Sequence, residues 1–322
     1  MPSLETHGHF FLKSLLVFLA ICNCSYFSVS AQEEDISPSL LESRKVFKVD
    51  PTEGTQQLAD HPLQAALKIA HQTAERIDRE VNDYTCDLVM RERIRGRLSN
   101  IYLARIKLRF QERDGSTAAK PFSVYLHFAA PSKVKGREVL YVHNQNDGKL
   151  LARNGGESHL KDITISMVPN SKRAMRGRHY PVTEIGIENI IERLIEEAQR
   201  TMQIDRERRE CQVRIIENAR IEGRLCRCVQ VGFPEKRENL KFHLVRVFLD
   251  NETGLPIRYA AYSWPREAGA APRLIEEYTF LNLKVNVGLS DTDFDRENPT
   301  YNFYSGKEAS AEAAHPQSNQ DN

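Results

Sequence analysis

Two runs of strict residue-by-residue alternation, parted by one long amphipathic stretch, constrain this chain more than any other feature. In the first run, 84–94 places Tyr84, Cys86, Leu88 and Met90 on one side, and 102–110 does the same with Tyr102, Ala104, Ile106, Leu108 and Phe110. A period of two is the mark of a half-buried strand. Segments 122–128, 138–143 and 149–153 continue the run, the last two joined through Asn146-Asp147-Gly148, a hairpin-turn composition. The second run covers 211–216, 224–231, 242–250, 257–263 and 274–287.

Helical spacing precedes each run. With Asp60 as N-cap and Pro62 in the first turn, Leu63, Ala66, Leu67, Ala70, Ala74, Ile77 and Val81 form one stripe. A second helix is predicted over 185–204 with Thr183 as N-cap. Its stripe of Ile187, Ile190, Ile191, Leu194, Ile195, Ala198 and Met202 is broad enough for a lid. These elements predict an α+β fold: one strongly curved antiparallel sheet, a half-open β-barrel of about ten strands, with two long helices on its concave side.

The chain of 322 residues is long enough for one large domain. An apolar run from Ser14 to Cys22, followed by small residues up to Ala31, reads as a secretory signal. The domain reading is therefore a signal peptide over 1–31, a polar linker over 32–59, the half-barrel over 60–304 and a disordered tail over 305–322. Export to the periplasm or cell envelope follows, with Cys86, Cys211, Cys226 and Cys228 in the mature protein. Cys211 and Cys226 flank a hairpin-like segment, so a disulfide between them is expected, worth about 3 kcal/mol if unstrained. Cys228 shares a face with Cys226 and is the rival partner.

Lys and Arg number 45 against 44 Asp and Glu, so no overall field recommends nucleic acid, and aromatics for stacking bases are not interleaved with the basic residues. Motifs for zinc hydrolysis, nucleophilic serine, phosphate cradling and dinucleotide binding are missing, so the expectation is a non-enzymatic protein with no cofactor and no metal. His127, His143, His159, His179 and His243 are scattered without a partner that spacing can name. Asp291, Asp293 and Asp295 mimic the start of a calcium loop, but Arg296 and Asn302 occupy its glycine and glutamate positions. Basic clusters at Arg91, Arg93, Arg95 and Arg97, at Lys133, Lys135 and Arg137, and at Lys172, Arg173, Arg176 and Arg178 read as a solvated face or as a rim for anionic head groups.

Strand alternation alone nominates a cavity lining of Leu88, Met90, Ile106, Leu108, Val124, Leu126, Leu140, Val142, Val245 and Val247, with Leu194 from the second helix above it. A 12-carbon chain buried there would gain up to about 10 kcal/mol before entropy costs.

The order helix, strands, helix, strands resembles the LolA and LolB carriers of outer-membrane lipoproteins. FAAPSKVKGREVLYV at 128–142 is similar to their strand-loop-strand passage, and VFLDNETGLPIRYAAYSWP at 247–265 to their Asp-x-x-Thr-Gly-Leu-Pro hairpin. With LIEEYTFLNLKVNVGLSDTDFD at 274–295, these segments resemble more closely a domain of unknown function in secreted planctomycete proteins, grouped with the same fold. The resemblance implies an exported binding protein with an apolar cavity for a lipid or acyl chain, whose partners are a lipid or lipidated protein and, peripherally, the membrane. The alternative is a solid-core envelope interaction module whose basic loops contact a partner.

Overall fold

The computed structural model describes residues 61–111, 120–157, 163–205, 210–267 and 269–303, together with the backbone of 308–310. The expected signal peptide, the linker and most of the tail lie outside them. In chain order the elements are α1 (Leu63–Glu80), β1 (Asp83–Ile94), β2 (Arg97–Leu98), β3 (Tyr102–Arg109), β4 (Ser123–Ala130), β5 (Glu138–Val142), β6 (Leu150–Arg153) and β7 (Thr164–Met167). Then follow α2 (Ile187–Ile204), β8 (Gln212–Ile221), β9 (Arg224–Gly232), β10 (Leu244–Asp250), β11 (Pro256–Ser263), β12 (Arg273–Val285) and β13 (Glu308–Ser310).

Among the described residues, twelve strands follow one another in a single sheet, ordered β13-β7-β6-β5-β4-β3-β1-β12-β11-β10-β9-β8, and β2 pairs with β1. All pairings are antiparallel except β13 on β7. The sheet is open, ending at β8 and β13, and its two sequence runs join along one seam, β1 against β12. Three strands, β2, β7 and β13, are added to the expected ten, the last two extending the edge beyond β6. β2 is two residues inside a hairpin, β7 is four residues long, and β13 is three residues that pair in parallel within the segment expected to be disordered, so each is too short to establish a period.

Tyr84, Cys86, Leu88 and Met90 of β1 face the helices together with Ile106, Leu108, Val124 and Leu126. Ile77 and Val81 of α1 and Ile187, Ile190 and Ile191 of α2 complete this concave-side core. The first turn of α2 is capped by Gly186, not Thr183, which lies in a preceding 3-10 turn. Gly186 has φ +127°, and a Cβ there would come within 3.0 Å of the Tyr84 hydroxyl, so chain direction and space both require glycine.

The Asp-x-x-Thr-Gly-Leu-Pro hairpin has a physical basis. Asp250, 2% exposed, accepts hydrogen bonds from the Thr253 N–H (2.9 Å), the Thr253 hydroxyl (3.0 Å) and Arg224 Nε (2.7 Å). Burial opposes its charge, but Arg224 and Thr253 outweigh burial and hold the carboxyl below its ordinary value. Arg76 of α1 donates to the Thr253 carbonyl (2.9 Å) and lies where a Cβ on Gly254 would stand, 2.5 Å from its Nη1. The motif ties α1 to the β10–β11 turn.

Segment 289–303 crosses the outer face of the sheet. Phe294, Tyr301 and Phe303 pack there against Tyr125, Leu140, Val142 and Leu151, and Tyr125 stacks on Tyr301 at 3.8 Å between ring centroids. Buried Glu138 receives the Asn302 N–H (2.9 Å) and Nδ2 (2.6 Å) and anchors the crossing. Leu140 and Val142 therefore face away from the concave side where alternation had placed them. β5 is covered on both faces, so its sequence has no polar side to orient it.

The expected Cys211–Cys226 disulfide is not formed; Cys86, Cys211, Cys226 and Cys228 are all free and buried. Register explains this. Gln212 pairs with Gly232 and Ala219 with Cys226, so Cys211 sits at the far end of the hairpin from both Cys226 and Cys228. Peptide mapping without reductant is expected to return Cys211 and Cys226 as free thiols; a bridged peptide containing either would contradict the register.

Candidate functional site

Between α1, α2 and the concave faces of β9 and β10 runs an apolar groove. Leu63, Ala66, Ala70, Ile191, Leu194, Ala198, Val229, Val245, Val247 and Leu249 line it, with Phe233, Leu240 and Phe242 from the loop between β9 and β10. Alanines at facing helix positions leave the space open. Its cavity volume is about 90 Å³. This is well below the roughly 300–1,000 Å³ of ordinary ligand pockets. A long chain can enter only if the helices part.

Of the nominated lining, Leu194, Val245 and Val247 reach the groove. Leu88, Met90, Ile106, Leu108, Val124 and Leu126 belong to the packed core beside it. Leu140 and Val142 are on the other side of the sheet.

Polar contacts fasten α2 at the groove's mouth and at its end. At the mouth, Glu197 pairs with Arg200 one turn on and with Lys241 Nζ of the β9–β10 loop at 2.8 Å. Burial alone would raise the Glu197 carboxyl, but Arg200 and Lys241 hold it below its ordinary value. Lys241 is 63% exposed, so solvent screens this clamp, which is worth about 1 kcal/mol or less.

At the end, Asp205 is fully buried. It accepts from Arg237 Nη1 (2.8 Å) and the Glu210 N–H (3.0 Å), and meets His61 Nε2 at 3.3 Å. Cys211 Sγ lies 3.9 Å from His61 Nδ1, which also receives the Leu63 N–H at 3.1 Å. His61, Asp205 and Cys211 are grouped closely enough to suggest metal ligands. Their nearest contacts, however, fall on opposite ring nitrogens, and Arg237 already supplies the compensating charge. The arrangement is a hydrogen-bonded knot joining the ends of both helices. Nor is the thiol poised as a nucleophile, since burial and the nearby Asp205 push it up to about 12.

Ahead of α2, residues 168–186 form an irregular strap over the opposite end of the concave face. Glu276, 1% exposed, accepts from the hydroxyls of Tyr259 (2.8 Å) and Tyr180 (2.9 Å) and lies 2.5 Å from His179 Nδ1. Glu92, 3% exposed, accepts from the Tyr278 hydroxyl (2.6 Å) and the His179 N–H (3.1 Å). Arg178, expected on a solvated face or on a rim for anionic head groups, instead lies over the rings of Tyr102 and Phe128 with its Nη1 3.6 Å from Glu92. Lys172, Arg173 and Arg176 of the same cluster are exposed.

The remaining candidates have local roles. Asp293 caps a 3-10 turn through the Ser290 N–H (2.9 Å) and pairs with Lys107 at 2.8 Å, while Asp295 accepts the Glu297 N–H. His243 Nδ1 bonds the Phe233 carbonyl at 2.7 Å and His143 contacts the Tyr141 hydroxyl, whereas His159 lies outside the described residues.

Sheet, helices and groove together define a protein of the open half-barrel class, with a helix pair standing over an apolar channel. Within that class, the chain belongs to the family described as protein of unknown function (DUF1571), whose model matches residues 81–303. No curated protein matches it. Solved structures are similar at low identity. A DUF1329 family protein from Desulfovibrio piger is 15% identical over 73% of this chain and 98% of its own, with a TM-score of 0.34. The MucA/MucB complex of Pseudomonas aeruginosa gives 17% over 72% and 60%, with a TM-score of 0.40. An outer membrane lipoprotein-sorting protein domain from Vibrio parahaemolyticus gives 14% over 71% and 96%, with a TM-score of 0.33.

The unequal fastening of α2 is measurable. Arg237→Ala leaves Asp205 buried and uncompensated and is expected to cost about 3–5 kcal/mol in urea unfolding, whereas Lys241→Ala should cost no more than about 1 kcal/mol. Equal losses would remove the distinction.

Proposed function

We propose that this protein is an exported, non-enzymatic binding protein of the cell envelope that takes an acyl chain of a lipid or lipidated partner into the groove between α1 and α2. The observation that carries the reading is the groove itself: an apolar channel bounded by two helices, with charged groups confined to its rim. Each methylene moved from water into it contributes about 0.8 kcal/mol. A few turns of chain therefore offset the separation of two helices whose mouth is held by one screened clamp. No helix among the described residues is long and apolar enough to cross a membrane. The solid interaction module keeps support from one number, the small cavity volume of about 90 Å³.

Binding of a fluorescent long-chain fatty acid to delipidated protein tests the proposal. The expected result is saturable binding, weakened by about tenfold or more, a loss of at least about 1.4 kcal/mol, in Ala198→Phe, which fills the groove. Absence of binding in the parent protein, or unchanged affinity in a folded Ala198→Phe, would favour the solid module.

A further inference from the structure

Glu92 and Glu276 are paired directly across the β1–β12 seam, and both side chains are out of water. Like charges placed opposite one another in a sheet repel, and each buried carboxylate needs a cation or several donors. Both cations come from consecutive strap residues, Arg178 for Glu92 and His179 for Glu276. An arginine side chain is charged at any relevant pH, whereas a histidine is not.

We infer that the strap 168–186 is a proton-controlled latch, fastened on the seam while His179 is protonated and loosened when it is not. The groups facing His179 are Glu92 and the Arg93 carbonyl on β1, Glu276 and Tyr278 on β12, Tyr259 on β11, and its strap neighbours Arg178 and Tyr180. Arg193 of α2 stacks on Tyr180 at 3.9 Å and donates to the Glu184 carbonyl at 3.0 Å. With His179 charged, two cations balance two carboxylates. Its deprotonation leaves one buried negative charge held by neutral donors alone, the Tyr180 and Tyr259 hydroxyls and the remaining ring N–H, and burial pushes the hydroxyls of Tyr180, Tyr259 and Tyr278 up, so none of them adjusts.

The hydrogen bond and charge of Glu276 raise His179 above its ordinary value, against a smaller opposing effect of burial. A raised folded-state value means that the closed strap is fully favoured below the open-state value of about 6.5 and loses that advantage as pH rises towards the folded one. Because Arg193 bridges strap and helix, the latch governs the N-terminal end of α2.

Hydrogen exchange of the full protein, expressed as protection so that the intrinsic pH effect is removed, reads the latch without any ligand. Protection of amides at 179–185 is expected to fall with pH above about 6.5, by up to tenfold per unit, and then level off. In His179→Gln the strap should show no such dependence. Flat protection in the parent protein, or the same slope in His179→Gln, would overturn the latch. Should His179→Gln fail to fold, NMR titration of the His179 ring in the parent protein decides: a midpoint above 6.5 supports it and one at or below 6.5 overturns it.

Discussion

Two carboxylates buried side by side, Glu92 and Glu276, stand at the seam where the two strand runs of the sheet meet. Neither can be tolerated there alone. Three tyrosine hydroxyls reach them from β11, β12 and the strap, and two cationic side chains come from the strap. A satisfied polar network of this kind fixes position more sharply than apolar contact does, because a small displacement leaves a buried charge without a partner. The strap must therefore cross the concave face at this level, and α2, which continues it, must start above Tyr84.

From that start α2 runs to a second buried acid, Asp205, tied to Arg237 and His61 and so to the N-terminus of α1. Between its two fixed ends the helix presents Ile191, Leu194 and Ala198 to β9 and β10 across a groove that is only partly filled. The middle is held by the solvent-screened Glu197–Lys241 contact. Strong ends and a weak middle over an apolar channel make a cover able to yield. The outer face is finished differently, by the Phe294, Tyr301 and Phe303 crossing, which packs over β4 to β6.

Much of the architecture was legible in the sequence because strands with one wet face announce themselves. The alternation of β1, β3 and β4 and the stripes of both helices placed those elements to within a few residues. Legibility failed where both faces are buried: Leu140 and Val142 could be turned either way by the pattern. It failed also for pairings that depend on distant register, as with Cys211 and Cys226. The seam acids do carry a signal in the sequence. Glu92 continues the inward set Tyr84, Cys86, Leu88 and Met90, and Glu276 precedes Tyr278 and Phe280 on the inward face of β12, so both occupy core positions in strand alternation. Their partners on the strap have no period at all. His61 was invisible for another reason, since its contacts to Asp205 and Cys211 span well over a hundred residues.

The account rests on the groove under α2 being the place where an apolar chain resides. Photo-crosslinking with a diazirine-bearing fatty acid, followed by peptide mapping, tests this most directly. Label is predicted on α1 and α2 residues that face the groove, such as Leu67, Leu194 and Ala198, and on Val245 or Val247 of β10. Label confined to the outer face around Tyr301, or spread over the surface without preference for the groove, would contradict it.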